Sequence, residues 1–438
     1  MAGTAVFDTG TETRAASSWL AVGICVFINM LDGFDILAMA FTAPVIADAW
    51  TLTPTQLGVL FSAGLAGMTL GSLALSPIAD TWGRRAVLLL CLSIITVGML
   101  LSALASGHLE LAFFRFLTGL GIGGLLSGIN TVAAEYAPAR QRNFAIGLVT
   151  SAYPVGATLG GIAAIPLIRT YGWESVFVLG GLLSLVMIPI VYFALPESLA
   201  FLLSRKPRNA LVRANAILRR FNAPTLAALP EIKRTGVERQ TLVDIARPGL
   251  RVGTALICGA FFMNMLTFYF LMSWVPKLVV DMGLSTDIGI TASVLINLFG
   301  TFGGGICGYL ASRANLGKVT AICMVLMFAA MIAFALMPPV AAAVLAASAV
   351  LGFFMIGTMV GLYAIVAHVF PTHVRATGTG AAIGLGRLGA VAGPYLGGVL
   401  IAAGWSRPLY FALLGIPTLI AAVLTVFAAR RAREIETL

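Results

Sequence analysis

The stretch 76-SPIADTWGRRAV-87 has a counterpart at the equivalent point of the second half of the chain, 308-GYLASRANLGKV-319. Each stretch follows the second long apolar run of its half, and each carries basic residues just before the next run begins. Asp80 in the first stretch corresponds to Ser312 in the second. The match predicts that the chain consists of two halves built on the same plan.

The composition is that of an integral membrane protein. Of the 438 residues, 59% are hydrophobic and only 10% are charged, and the mean hydropathy is +0.99. Soluble domains carry about 25% charged residues. The chain is therefore expected to lie within a lipid bilayer rather than in solution.

Twelve apolar runs are long enough to cross about 30 Å of hydrocarbon as helices, which takes about 20 residues each. Six runs precede a long polar segment and six follow it. We therefore predict an all-α membrane protein with twelve transmembrane helices, arranged as two pseudo-symmetric six-helix bundles around a central cavity. The runs cover residues 18–47, 56–79, 85–106, 109–136, 143–168, 174–195, 250–282, 288–312, 317–338, 340–369, 376–404 and 406–430.

These runs divide the chain into five segments. Residues 1–17 are predicted to be an N-terminal tail and 431–438 a C-terminal tail, both cytoplasmic. Residues 18–198 and 249–430 form the two bundles, and 199–248 form a basic cytoplasmic central loop. A six-plus-six repeat is typical of transporters whose halves rock about a binding site near the bilayer midplane.

The formal net charge of +10 reflects an uneven distribution of lysine and arginine. All but five of the 27 basic side chains fall on one side of the predicted membrane. Because basic loops are retained in the cytoplasm, we expect a multi-pass protein of the bacterial inner (plasma) membrane with both termini cytoplasmic, and no nucleic-acid partner. The exceptions are Arg169, Lys277 and Arg407 in the opposite loops and Arg115 and Arg387 inside spans.

Two acidic residues interrupt the first span, in 29-NMLDGFDILAMAF-41. An intramembrane carboxylate costs roughly 2.5–3.5 kcal/mol on insertion scales. Asp32 and Asp35 are three residues apart and share one helix face, which must therefore look into a cavity or onto a partner. Two neighbouring carboxylates resist simultaneous ionisation, so the pair is suited to proton coupling. A structural ion pair with an arginine is the alternative.

Two arginines inside spans are candidate ligands for an anion. Arg115 and Arg387 each offer a planar fork that matches a carboxylate. We expect one of them to balance an aspartate and the other to bind substrate, with ion pairing inside the protein as the alternative for both. Phe34, Tyr269 and Asn264 are further candidate substrate contacts, since Phe34 lies between the aspartates and the other two share a span.

A second group of candidates lies at the predicted cytoplasmic surface. The turn after the second span and the end of the fourth span both carry clustered charges, too shallow for a substrate site. We expect a conformational latch that stabilises one state, and the alternative is an ordinary solvated turn. Its predicted members in these two places are Asp80, Gly83, Arg84, Arg85, Glu135 and Arg142, and Arg375, at the cytoplasmic start of the eleventh span, is a further member.

Other functions lack their signatures. The run 384-GLGRLG-389 fits a dinucleotide-binding pattern, but that pattern needs a preceding strand, and here it lies inside an apolar span, where glycines allow close helix packing. No phosphate-binding G-x-x-x-x-G-K-[ST] motif occurs, so we expect no ATP-driven pumping and no cofactor other than the coupling proton. No His/Cys cluster and no G-x-S-x-G nucleophile elbow occur either, so we expect no enzyme activity. His368 and His373 lack metal-ligand spacing, so we expect no metal site. The five cysteines, read as small buried hydrophobes, are Cys25, Cys91, Cys258, Cys307 and Cys323.

Several motifs resemble the major facilitator superfamily of transporters. The stretch 76-SPIADTWGRR-85 is similar to the signature G-x-x-x-D-R-x-G-R-R, from which it departs at Ser76 and Thr81. The similarity extends through 115-RFLTGLGIGG-124, 135-EYAPARQR-142 and 195-LPESLAFLL-203. More specifically, the chain resembles the aromatic acid:proton symporter family in 31-LDGFD-35, 269-YFLMSWVPKLV-279 and 375-RATGTGAAIGLGRLGAVAGPYLGG-398.

The resemblance implies the major facilitator fold and roles for particular residues. In the family, paired aspartates of helix 1 and arginines of helices 4 and 11 are associated with transport. Ser312 stands where the second-half loop of the family often carries an aspartate, so the second half departs from the latch pattern there. The transport roles correspond here to Asp32, Asp35, Arg115 and Arg387, and the loop and helix-end signatures to Asp80, Glu135 and Arg375.

The residues and the resemblance together predict a secondary transporter, working as a monomer, that takes up a small carboxylate by proton symport. The resemblance implies that this substrate is aromatic, such as benzoate or a hydroxybenzoate. The alternatives within transport are another small organic acid or a sugar as substrate, or proton-coupled export. A transporter-like sensor is a further alternative, although the loop and tails contain no evident signalling module.

Overall fold

The computed structural model describes residues 19–220, 224–230, 242–247, 249–371 and 374–436. Over these residues the chain is almost entirely helical, and twelve helices are long and apolar enough to cross a membrane. The predicted twelve-helix architecture is thereby confirmed. The predicted N-terminal tail, part of the central loop and His373 lie outside the described residues.

We number the twelve long helices in chain order. The first six are α1 (Trp19–Ala49), α2 (Pro54–Ala74), α3 (Arg84–Ala103), α4 (His108–Tyr136), α5 (Arg142–Tyr171) and α6 (Glu174–Ala194). The second six are α7 (Arg251–Asp281), α8 (Thr286–Arg313), α9 (Leu316–Leu336), α10 (Ala341–Val369), α11 (Arg375–Ala402) and α12 (Arg407–Glu436). Shorter helices cover Ala79–Trp82, Leu199–Arg205, Ala210–Arg220 and Leu242–Ile245.

The helix ends explain the sharp reversals between spans. Before α2, the Thr53 side chain accepts from the backbone N–H of Gln56, and the Gln56 side chain accepts from the backbone N–H of Thr53. This capping box satisfies amide groups that the helix start leaves without partners. Between Trp82 and α3, Gly83 has φ +102°, a conformation that glycine adopts without steric cost.

Glycines allow the helices to approach closely. In α4, Gly119 lies against the backbone of Gly64 in α2, and Gly124 lies against Cys91 of α3. The run 384–389 lies inside α11 with no strand before it, which excludes the dinucleotide pattern. Two of its glycines, Gly386 and Gly389, pack on α7. The five cysteines are free and buried, as predicted.

The two bundles meet at one face of the molecule. We call the face where α1 begins and α12 ends the termini face, and the opposite one the far face. Toward the far face, Ser62 Oγ donates to the Val391 carbonyl at 2.7 Å, and the Phe61 and Trp274 rings stack edge to face at 5.4 Å. Arg169 of α5 also forms an ion pair with Asp287 of α8. The bundles are therefore joined at the far face.

The termini face differs from the far face. Near this face, Gly147 of α5 and Gly380 and Gly384 of α11 have no atom within 4 Å of the position that a Cβ would take. Tyr363 of α10 is exposed and Arg387 of α11 is only half-buried. The space between the bundles therefore opens toward the termini face.

The far-face contact between α2 and α11 leaves no room for a side chain at Gly398, which lies against Pro54 and Gly58. Overpacking of this kind costs about 1–3 kcal/mol, so Gly398→Leu should separate the bundles and open the closed side in a larger share of molecules. A cysteine introduced between the bundles as Ser273→Cys reports on this opening. Its reaction with a maleimide should then become roughly tenfold faster.

Gly305→Leu is the matched control, because Gly305 lies in a long helix with open space beside it. Equal labelling rates in the Gly398→Leu and Gly305→Leu backgrounds would show that this contact does not hold the far face closed.

Candidate functional site

The two aspartates of α1 lie inside the amino-terminal bundle. Asp32 is 1% exposed and Asp35 is 0% exposed. Asp35 Oδ1 faces Gly180 of α6, where a Cβ would lie 2.7 Å away. Asp32 Oδ2 and both carboxyl oxygens of Asp35 have no hydrogen-bond partner among the described residues. The pair is therefore buried in protein, directed away from lipid and not neutralised by a direct ion pair.

Arg115 of α4 lies beside the pair without bonding its carboxyl groups. Its Nη2 donates to the backbone carbonyl of Asp35 at 2.6 Å, and its Nη1 donates to Met99 Sδ at 2.9 Å. Its Cζ lies 5.4 Å from the centroid of the Phe177 ring. In this structure Arg115 thus positions α1 through the main chain, and the expected ion pair with an aspartate is not formed.

Arg115 also lines a small, partly enclosed cavity between the bundles. The cavity has a volume of about 30 Å³ and is lined by α1, α2, α4 and α7, with Arg115, Tyr269 and Ser273 as its polar members. It has room for only about one or two water molecules. We interpret it as the closed far end of the central space.

A cluster of tyrosines links the aspartates to the second predicted arginine. Tyr153 of α5 lies within electrostatic reach of Asp32 and of Tyr269 in α7. Tyr269 and Tyr363 of α10 in turn lie within reach of Arg387. We call Tyr153, Tyr269, Tyr363 and Arg387 the tyrosine–arginine cluster. It crosses the boundary between the bundles, where the sequence predicts Tyr269 and Arg387 to contact substrate.

Arg387 has no salt-bridge partner among the described residues. It is half-buried, on the open side of the boundary between the bundles. A guanidinium in that position can accept a carboxylate from a ligand without first breaking an internal ion pair.

Two other predicted contacts lie in helix interfaces. Phe34 is buried, packs against Gly160 of α5 and reaches Gly180 of α6. Asn264 is buried in α7 and donates to Met359 Sδ at 3.2 Å. Both side chains contact their own bundle in this structure, and a substrate contact for either stays a prediction.

Most of the predicted latch residues meet at the termini face of the amino-terminal bundle. Arg84 at the start of α3 forms an ion pair with Glu135 at the end of α4. The Arg85 guanidinium donates to the Tyr192 carbonyl and lies 4.9 Å from the Tyr192 ring centroid. The Asp80 carbonyl accepts a hydrogen bond from a residue beyond α6, Arg205 Nε, at 3.0 Å.

Glu197 connects several members of this group by hydrogen bonds, and it was not among the site residues predicted from the sequence. Its Oε1 accepts from the backbone N–H groups of Arg85 at 3.1 Å and Ser198 at 3.0 Å. Tyr136 donates its hydroxyl to the Glu197 carbonyl at 2.7 Å. A Cβ at Gly83 would lie 2.5 Å from Glu197 Oε2, so glycine is needed there for space as well as for φ. The available signal was an acidic residue in 195-LPESLAFLL-203, directly after a span.

The remaining latch residues are less engaged. Arg142 is half-buried and its Nε has no partner among the described residues. Arg375 Nε donates to the Phe370 carbonyl at 3.3 Å, within the second bundle. At the end of α8, Arg313 lies 4.7 Å from the Tyr309 ring, and Ser312 Oγ donates to the Tyr309 carbonyl. The second half thus replaces the charged turn of the first half with ring and backbone contacts.

Replacing Glu197 with glutamine should weaken the termini-face group, because a charged acceptor of two backbone amides becomes a neutral one. Loss of a hydrogen bond to a charged group costs about 1.5–3 kcal/mol, so the melting temperature of the purified protein should fall. Asp48→Asn is the control, since Asp48 is largely exposed and 3.9 Å from Lys277. Equal melting temperatures for the two variants would contradict the assignment.

Comparison with known proteins agrees with this architecture. The family model described as Major Facilitator Superfamily matches residues 22–386 and 318–437. The chain is 34% identical to a gallate transporter of Pseudomonas putida, with 96% of this chain and 93% of the relative covered. It is 32% identical to the 4-hydroxybenzoate transporter PcaK of Acinetobacter baylyi, with 92% and 90% covered.

A solved structure supports the same fold. The inward-open xylose transporter XylE from E. coli has a TM-score of 0.73 and 17% sequence identity, with 92% of this chain and 94% of that chain covered. Twelve spans make the protein a multi-pass membrane protein, and its relatives are transporters rather than enzymes. The chain belongs to the major facilitator superfamily.

Proposed function

We propose that this transporter takes up small aromatic carboxylates together with protons. The observation that carries the proposal is the tyrosine–arginine cluster, which lies between the bundles and is electrostatically connected to a buried aspartate pair. The cluster combines a cation and aromatic rings at the boundary between the bundles and connects them to groups that can bind a proton, an arrangement suited to co-transport of an aromatic anion and a proton.

The chemistry of the cluster supports this substrate class. The Arg387 guanidinium can hold a carboxylate through two parallel hydrogen bonds. Rings of Tyr153, Tyr269 and Tyr363 offer offset or edge contacts to an aromatic ring, and their hydroxyls can bond ring substituents. The relatives named as transporters of gallate and 4-hydroxybenzoate support the same class.

The proton site is the aspartate pair. Each ionised carboxylate in an apolar bundle carries a large desolvation cost, and Asp35 has no bonded counter-ion to offset it. Protonation removes that cost. A bound proton together with a bound anion also makes the load neutral, which lowers the cost of closing the space between the bundles.

The cycle we propose uses the two faces in turn. With the far face open, the aspartate pair gains a proton and Arg387 binds the substrate carboxylate. The bundles then close at the far face, as Ser62 with Val391 and Arg169 with Asp287 are joined in this structure. Substrate leaves through the termini face, which we propose to be cytoplasmic because it carries most of the basic residues. Closure of the latch group against the second bundle resets the cycle.

Asp35→Asn and Asp32→Asn should each abolish accumulation driven by a pH gradient, because the side-chain amide of asparagine does not bind and release a proton as a carboxyl group does. Accumulation of labelled 4-hydroxybenzoate in proteoliposomes with an imposed gradient measures this. Asp48→Asn, at the exposed end of α1, is the control. Native accumulation by both variants at normal protein levels would contradict the proton role.

Arg387→Gln should raise the KM for 4-hydroxybenzoate by roughly 10–100-fold, since hydrogen bonds to a charged group contribute about 1.5–3 kcal/mol. Arg387→Lys keeps the charge but lacks the fork and should fall between the native protein and Arg387→Gln. Arg407→Gln, which removes a guanidinium bonded to the Ala335 and Met337 carbonyls away from the cluster, is the control. An unchanged KM in Arg387→Gln would remove Arg387 from the substrate site.

The substrate class itself is tested by competition. Benzoate, gallate and protocatechuate should compete with labelled 4-hydroxybenzoate, whereas aliphatic acids and sugars should not, because they cannot use the tyrosine rings. An uncoupler should prevent accumulation. Stronger competition by an aliphatic acid or a sugar than by the aromatic acids would contradict the proposed class. Accumulation only when the imposed pH gradient is reversed would indicate export.

A further inference from the structure

Two buried hydroxyl groups inside the amino-terminal bundle are without hydrogen-bond partners. Thr96 of α3 is 5% exposed and Ser184 of α6 is 1% exposed, and neither hydroxyl oxygen has a partner among the described residues. A serine or threonine in a helix commonly donates to the carbonyl four residues earlier. Others in this bundle do so: Thr42 to Ala38, Ser102 to Gly98 and Thr118 to Phe114.

The register of α3 and α6 brings these two hydroxyls together. The helices run in opposite directions through the bundle, and Met99 of α3 touches Gly180 of α6. Thr96 precedes Met99 by three residues, and Ser184 follows Gly180 by four. Each lies about one turn nearer the termini face on the same side of its helix, so Thr96 and Ser184 face one another across the α3–α6 contact.

The same register places them at the level of Asp32. Asp35 faces Gly180, and Asp32 precedes Asp35 by three residues, about 4.5 Å along the helix axis. Asp32 is also within electrostatic reach of Cys91 on α3. Unpartnered carboxyl oxygens and unpartnered hydroxyls therefore lie in two adjacent layers of one bundle.

We infer that Thr96 and Ser184 form, with Asp32 and Asp35, a polar pocket that binds water and relays the transported proton between the two carboxyls. The inference rests on the proposed proton coupling and names two further positioning residues for it. The pocket is separate from the small cavity between the bundles, whose lining includes none of the four residues.

The relay step conserves atoms and charge. The O–H bond of the Asp35 carboxyl breaks and its proton passes to a water held by Thr96 and Ser184. That water gives one of its own protons to the Asp32 carboxylate, and a new O–H bond forms there. Asp32 lies within electrostatic reach of Tyr153, the member of the tyrosine–arginine cluster contributed by α5. A water in such a site needs two to four polar partners, which the four side chains supply.

Few titratable or charged groups face this pocket. Arg115 of α4 bonds the Asp35 carbonyl, and Cys91 of α3 and Tyr153 of α5 lie within electrostatic reach of Asp32, with Tyr269 of α7 beyond Tyr153. Helix α2 has no titratable side chain between Pro54 and Ala74. On α6, Gly180 and Ser184 are the facing residues, and on α8 the nearest charge, Asp287, is paired at the far face. The aspartates are therefore the groups whose protonation the hydroxyls would control.

The test uses the full-length protein in proteoliposomes with labelled 4-hydroxybenzoate. Thr96→Val keeps the shape of the side chain without its hydroxyl, and it is combined with Ser184→Ala. Uptake driven by a pH gradient should fall by roughly 10²-fold, the low end of what a positioned proton-transfer group contributes. Exchange of labelled for unlabelled substrate at equal pH should persist, because exchange needs no net proton movement.

Two further variants separate the relay from packing. Thr418→Val removes another buried hydroxyl without a partner, in α12 of the other bundle, and should keep gradient-driven uptake. Thr96→Ser retains a hydroxyl, so its gradient-driven uptake should be faster than that of Thr96→Val. Native gradient-driven uptake in the double variant would overturn the relay. Equal loss of uptake and exchange, with no recovery in Thr96→Ser, would also overturn it by indicating a purely structural role.

The outcomes also distinguish this inference from the proposed function. If the native protein accumulates substrate without responding to a pH gradient, the proton coupling itself fails. If Asp35→Asn loses coupling while the Thr96→Val/Ser184→Ala variant keeps it, the coupling stands and the relay pocket alone is rejected.

Discussion

The constraint on which the rest of this structure depends is the burial of two carboxyl groups in a membrane-spanning helix. Asp32 and Asp35 are enclosed by protein, and the nearest cation, Arg115, bonds a backbone carbonyl rather than a carboxylate. A buried ionised group without a bonded partner is expensive. The amino-terminal bundle must therefore surround α1 closely.

Close enclosure is possible because the facing helices present small residues. Gly180 leaves room for the Asp35 carboxyl, and Gly160 leaves room for the Phe34 ring. Side chains at these positions would push the aspartates toward the bundle boundary or distort the packing of α1 against α5 and α6. The glycine-rich character of the chain thus serves the polar site as well as the contacts between helices.

The two faces of the molecule are held by different chemistry. Contacts at the far face combine close glycine approach, ring stacking and the Arg169–Asp287 ion pair between the bundles. At the termini face, the charged groups around Glu197 bond within the first bundle. A rocking transporter needs one face released while the other is joined. Here the bundles bond each other at the far face, whereas the charged groups of the termini face bond within one bundle, so the space between the bundles is open at the termini face.

Hydropathy and motifs were sufficient for the twelve spans, the six-plus-six plan and the superfamily, because membrane-spanning length and glycine or charge signatures are local properties of the chain. They also singled out Asp32, Asp35, Arg115 and Arg387, since a charge inside an apolar run is conspicuous. The sequence could not determine which partners these side chains face. Thr96 and Ser184 became visible only in the tertiary structure, because their significance comes from helix register and missing hydrogen bonds. Glu197 had a sequence signal, an acidic residue directly after a span, but its partners lie on segments distant along the chain and only the tertiary structure determined them.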